Sequence, residues 1–287
     1  MNTKLHGILL FLVATLLFSL HDATAKYLIP VFAIPLLVWA RYVVHLVIML
    51  LAVAPGMGRA LIVTKRPWLM TFRALTLVGV SLLFQNALKT LPLAETTAIA
   101  FVTPLLVALL AGPLLGEKVR LASWLATVAG FCGVLLIARP GGVVAGIGVA
   151  YALGSALCYA GYQILTRKLS ATEPAMRQLF YTALVGSITL SFAIPSYWSG
   201  QMPTLSQGLL IVSLGINAGV GHFLLIRAFR ETPASTLSPL LYIQLVWAML
   251  LGLIVFGQLP DLPTTIGMAI IGTSCLSLAL FQPRAEV

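Results

Sequence analysis

An all-α membrane protein of ten transmembrane helices, built as two inverted five-helix repeats with both termini cytoplasmic, is the fold class this sequence predicts. Three observations predict it. The 287 residues are 60% hydrophobic and 8% charged, with mean hydropathy +1.04, where a soluble domain carries roughly 25% charge. A water-soluble fold of this length has nowhere to hide so much apolar surface. The apolar residues fall into about ten stretches of roughly 20, the length that crosses a bilayer. Finally, the sequence repeats at an offset of 141. Ala87-Leu88-Lys89 matches Ala228-Phe229-Arg230, Pro92 matches Pro233, Gly116-Glu117 matches Gly257-Gln258, Gly7 matches Gly148, and Lys26-Tyr27-Leu28 matches Arg167-Lys168-Leu169. Five spans per repeat is an odd number, so the second copy enters from the opposite side.

The spans are expected at 5–25, 33–54, 69–88, 92–114, 120–138, 146–166, 176–195, 206–228, 233–256 and 263–281. The first begins after Lys4 and ends where Asp22 and Lys26 introduce charge. Pro30 and Pro35 precede the second span, and Pro55-Gly56 closes it. Pro67 opens the third and Pro92 the fourth. Pro140-Gly141-Gly142 separates the fifth from the sixth, and with it a repeat of residues 1–141 from one of 142–287. Pro174 and Pro195 bracket the seventh, Pro203 precedes the eighth, Pro233 opens the ninth, and Pro260 and Pro263 precede the tenth. None of these stretches alternates as barrel strands do. Lys4 and Ala23-Thr24-Ala25 imitate a cleavable leader, but the segment aligns with Gly148 to Leu169, so its retention is expected.

Orientation follows from Lys and Arg. With the N-terminus inside, thirteen of the 17 basic residues, Arg73 among them, fall in inside segments. Only Lys26, Lys89 and Arg139 fall outside, and Arg41 lies within a span. Net charge is +10, yet the basic residues are scattered at span ends with no cluster, so the lipid bilayer and not nucleic acid is the expected partner. Cys132, Cys158 and Cys275 sit in apolar stretches and read as free core thiols without metal-ligand spacing. His6, His21, His45 and His222 are dispersed, so no metal and no cofactor is expected. The sequence contains no Walker motif and no His-Glu-x-x-His or Gly-x-Ser-x-Gly, and it does not read as an enzyme.

Ionisable groups at membrane depth are costly unless paired or wet, which selects the candidate site residues. Asp22 and Lys26 share one face of the first span. Arg41 stands about 12 Å into the second, with His45 one turn on. It is expected to pair with Asp22 or Glu95, or to bind an anionic group. Glu95 occupies the first turn of the fourth span, where the helix dipole favours it. Gln85 lies near the end of the third. In the second half Tyr159, Tyr162, Gln163, Asn217, His222, Ser235, Ser238, Tyr242 and Gln244 are the polar groups at depth. Together they describe a polar, aromatic-lined cavity for a neutral or zwitterionic ring-bearing solute. Asp22 maps to Gln163, Arg41 to Thr182 and Glu95 to Thr236, so the first half keeps charge where the second is neutral.

The most specific stretches are Asp22 to Lys26, Arg41, Ala87 to Glu95, Pro104 and Gly116-Glu117. Their counterparts are Ile226 to Phe229, Pro233-Ala234-Ser235 and Phe256 to Asp261. These resemble the drug/metabolite transporter superfamily, and within it the EamA-like family, over nearly the whole chain. The resemblance implies a multi-pass protein of the bacterial inner membrane that moves a small organic metabolite by alternating access. Spans 1–4 and 6–9 would surround a central cavity, with spans 5 and 10 outside as supports. The arrangement is most similar to a subgroup of bacterial riboflavin importers and rickettsial S-adenosylmethionine transporters, while other branches export amino acids or metallophores. Riboflavin uptake is therefore the first expectation, and S-adenosylmethionine, amino-acid or metallophore transport the alternative. Proton coupling through Asp22 and Glu95, and a homodimer, are both compatible with the sequence. Gln258 replaces the Glu expected at the second Gly-Glu pair.

Overall fold

A computed structural model describes residues 3–115, 121–138, 143–232 and 237–281. Among these residues every regular element is helical. The long helices are α1 (Thr3–Leu28), α2 (Ile34–Ala52), α3 (Pro67–Thr90), α4 (Leu93–Ala100), α5 (Thr103–Leu115), α6 (Leu121–Ala138), α7 (Val143–Ser170), α8 (Ala175–Ser191), α9 (Leu205–Glu231), α10 (Ile243–Phe256) and α11 (Leu262–Phe281). Among the described residues four segments are long and apolar enough by themselves to cross a membrane: Leu5–Leu28, Ile34–Ala52, Pro67–Thr90 and Leu205–Phe229. Shorter apolar helical segments are Leu93–Val107, Trp124–Ile137, Leu240–Phe256 and Leu262–Ser274.

The expected fourth span, 92–114, is two helices rather than one. Pro104 has no N–H to return to Ala100, and the Thr103 hydroxyl takes that carbonyl at 2.7 Å. The chain tightens instead, with Val102 N–H on Ile99 O at 3.0 Å. In the second half a 3₁₀ turn over Ser238–Tyr242, containing Pro239, precedes α10. The two irregularities meet, since the Phe101 and Tyr242 rings are 5.5 Å apart, and these positions differ by 141. The expected seventh span also ends early, at Ser191 in place of 195, followed by a separate turn at Ile194–Tyr197.

Helix pairing follows the same offset. α1 packs along α9 and α3 along α7; α1 touches α10 as α7 touches α4 and α5; α6 packs on α11. At opposite ends of the bundle a Cβ on Gly7 would lie 2.2 Å from Thr232 Oγ1, and one on Gly148 would lie 2.3 Å from Thr90 Oγ1. Small residues thus let backbones approach at equivalent places. In α6 and α11 a Cβ on Gly133 would come 2.7 Å from the Gly267 carbonyl. The Lys26 ammonium, near the end of α1, donates to Leu88 O at 2.7 Å and Leu91 O at 2.5 Å at the end of α3. Gly148, near the start of α7, abuts that same end. The helix α1 and its counterpart α7 therefore run in opposite directions.

At the other end the connection between α2 and α3 is not loose. Leu61 is buried against Met49, Leu179 and Phe180. Glu173 holds the connection down by accepting from Thr64 Oγ1 at 2.6 Å, Lys65 N–H at 3.3 Å and Arg177 Nη1 at 2.5 Å. Burial alone would push the Glu173 carboxyl up, but these donors hold it below its ordinary range.

Candidate functional site

A cavity of about 270 Å³ lies between the two halves, lined by residues of α1, α2, α3, α4, α5, α7, α9 and the region around α10. Sixteen of its 24 lining residues form eight pairs at the 141 offset: Thr15 with Ala156, Phe18 with Tyr159, Asp22 with Gln163, Leu77 with Ala218, Ser81 with His222, Phe84 with Leu225, Ala100 with Leu241, and Thr103 with Gln244. The cavity thus straddles the axis that relates the repeats. Such interfaces between repeats are where transporter sites form.

Seven of the sequence candidates line this cavity: Asp22, Arg41, Gln85, Tyr159, Gln163, His222 and Gln244. Asp22 accepts from the ring of its neighbour His21, with Nδ1 to Oδ1 at 3.0 Å. Lys26 turns away to the end of α3, so the two charges sharing a helical face serve different partners. Arg41 donates Nη1 to Ser81 Oγ at 2.8 Å and lies over the Tyr42 ring, 5.1 Å from its centroid. Ser81 in turn donates to Leu77 O at 3.0 Å and meets Tyr42 Oη at 3.1 Å. His222 packs on Phe18 with ring centroids 4.9 Å apart.

The other candidates fall elsewhere. Glu95 lines a separate space of about 10 Å³ with Pro92, Gly252, Gln258 and Pro260. It lies within electrostatic reach of Lys26. His45 is buried against Gly219. Asn217 is half-buried beside the lining Ala218. Tyr242 packs on Phe101, which does line the cavity. The Ser238 side chain, Glu117, Ser235 and Thr236 lie outside what is described. Among the described residues no group of three His, Cys, Asp or Glu is placed to hold a metal.

Tyr162 stands behind Tyr159, stacked at 5.7 Å and 16°, and serves a residue that sequence reasoning misplaced. Arg73 is not part of a basic loop flank; it is only 2% exposed. Its Nε donates to Thr166 Oγ1 at 2.6 Å. Its Nη1 donates to Gln178 O at 3.1 Å and Thr182 Oγ1 at 2.9 Å, and its Nη2 to Tyr162 Oη at 2.5 Å. The guanidinium also lies 4.2 Å from the Tyr162 ring centroid, a favourable cation–π distance. The missed signal was positional. Arg73 is six residues past Pro67, which opens α3, or about 9 Å into the helix.

Arg41 and its neighbours are less completely satisfied. His21 Nε2, Arg41 Nε and both amide atoms of Gln85 are buried with no hydrogen-bond partner among the described residues, and all three side chains line the cavity. An unpartnered buried polar group costs about 1–3 kcal/mol, so such groups are few in a native fold and each calls for a reason.

Known proteins resemble this chain over nearly its whole length. The model of the EamA-like transporter family matches residues 5–139 and again 146–280. An S-adenosylmethionine uptake transporter of Rickettsia prowazekii is 26% identical, over 99% of this chain and 96% of its own. A riboflavin transporter of Vibrio cholerae is 26% identical, over 98% of this chain and 95% of its own. A pseudopaline exporter of Pseudomonas aeruginosa is 29% identical over 67% of this chain and 68% of its own. One solved crystal structure shares the fold, with TM-score 0.68 at 21% identity over 97% of both chains.

Because Arg73 ties α3 to α7 and α8 through four bonds, Arg73→Ala should lower the unfolding free energy by about 3 kcal/mol. Arg73→Lys should recover only part of that, since one ammonium cannot span the same acceptors. Thermal melts of the purified protein in detergent check this, and unchanged melting of Arg73→Ala would contradict the assignment.

Proposed function

This chain belongs to the EamA-like transporter family, and on that premise we propose that it carries a small organic metabolite across the bacterial inner membrane by alternating access. The observation that carries the reading is the cavity whose lining exchanges under the repeat offset, because a site on the axis between two inverted halves can face either side as they rock. In this reading the halves are residues 1–141 and 142–287, each with five spans, and both termini are cytoplasmic.

The chemistry of the lining favours a solute with a flat ring and charges of both signs. Phe18, Phe84, Phe101 and Tyr159 offer ring faces, Arg41 a fixed positive charge and Asp22 a carboxylate. Riboflavin, the first expectation from sequence, has the ring but no charge. S-adenosylmethionine has the ring, a carboxylate and cationic groups, and relatives bearing that name align with nearly the whole chain. We therefore place it ahead of riboflavin. Any proton linkage runs through Asp22 with its partner His21, since Glu95 lies in a different space.

Purified protein in liposomes should take up labelled S-adenosylmethionine saturably, and Arg41→Ala should lower that flux at least about tenfold, the scale of one charge-assisted hydrogen bond. Normal flux with Arg41→Ala would remove Arg41 from the site. Flux of riboflavin alone would restore the first expectation, and flux of no organic solute would sink the transport reading.

The proposed topology has its own check. Single cysteines within 59–65 should react only with reagent supplied from the cytoplasmic side, and those within 196–200 only from outside. Labelling of both loops from one side would refute inversion of the halves across the membrane.

A further inference from the structure

The cavity is not equally furnished on its two sides. The three side chains that present unpartnered buried atoms to it all come from the first half. Their counterparts at the 141 offset are not equivalent: His21 maps to Tyr162, Arg41 to Thr182 and Gln85 to Ile226. Gln85 is the sharpest case. It is 2% exposed, yet neither its Oε1 nor its Nε2 has a partner. It stands one turn beyond Ser81 on α3, so it shares the face on which Ser81 receives Arg41.

A carboxamide offers one acceptor and one donor side by side, in a plane. The ligand edge that satisfies both at once is a donor next to an acceptor on the rim of a flat ring. A 6-aminopurine has such an edge, and so does a ring dione with an N–H between its carbonyls. A bare carboxylate or an alkyl chain has none. Phe84 and Phe101 line the same cavity and supply apolar surface for the ring faces. Desolvation makes the discrimination strong, because a ring lacking the edge leaves the amide buried and unpaired.

We propose that the Gln85 carboxamide reads a paired donor–acceptor edge on a flat nitrogen heterocycle of the solute, and so selects the solute class and fixes its orientation in the cavity. This rests on the transport reading of the cavity, but it is tested by binding and not by flux. Two probe pairs are measured by equilibrium binding to the purified full chain. Adenosine is compared with purine riboside, which lacks the 6-amino donor, and riboflavin with 3-methylriboflavin, which lacks the N–H. The parent of at least one pair should bind about tenfold more tightly than its altered partner, the scale of one bidentate contact. Gln85→Leu should bind parent and altered probe alike. Equal binding within both pairs, or no binding of any probe, overturns the proposal, and so does a Gln85→Leu protein that keeps the preference. If Gln85→Leu does not fold, Gln85→Asn serves in its place, since its shorter amide should lose most of the preference. Flux without edge discrimination would refute this proposal and leave transport standing. Discrimination without flux would do the reverse.

Discussion

A polar group buried in the apolar interior of this bundle is costly unless it finds a partner, and the rest of the structure depends on how each one is satisfied. Two arginines show the alternatives. Arg73 is saturated, with Thr166, Gln178, Thr182 and Tyr162 taking its donors and an aromatic ring under its charge. It acts as a bolt between α3, α7 and α8. Arg41 spends one nitrogen on Ser81 and keeps Nε unpaired at the wall of the cavity. The same side chain is a fastening in one place and an open receptor in the other, and only the count of partners separates them.

The repeat explains where the open groups gather. Under the offset the packed pair of α1 and α9 maps onto that of α7 and α3, so their lining residues meet around one axis. The halves then diverged in chemistry while keeping the geometry. Thr182, which stands where the first half has Arg41, accepts from Arg73. Gln163, which stands where the first half has Asp22, lines the same cavity without a charge. The backbone keeps the symmetry even at its irregular points, as Phe101 and Tyr242 show by meeting across the axis.

Much of this was legible in the sequence because apolar length and an offset repeat are properties of the chain itself. The all-helical apolar character and the twofold repeat are written there, and polarity within apolar stretches marked seven residues that line the cavity. Side-chain partnership was not legible. Asp22 and Lys26 share a helical face, yet Lys26 reaches carbonyls more than sixty residues away. Glu95 sits at the right depth but behind α4, where Gly252 and Gln258 enclose it. Arg73 read as part of a basic flank because Pro67 marked a boundary, and nothing local revealed that α7 and α8 bring four acceptors to it. The break at Phe101 was half visible: Pro104 announces a missing N–H, but only the fold shows Thr103 covering the carbonyl.

The central claim is that one solute site is built jointly by both halves. Its most direct test is solute protection of single cysteines placed at Ala100 on α4 and Ala218 on α9, in a protein whose native cysteines have been replaced. Ala100 and Ala218 line the cavity from opposite halves. The account predicts that the transported solute slows thiol modification at both positions with the same concentration dependence. Protection at neither position, or at one alone, would contradict it.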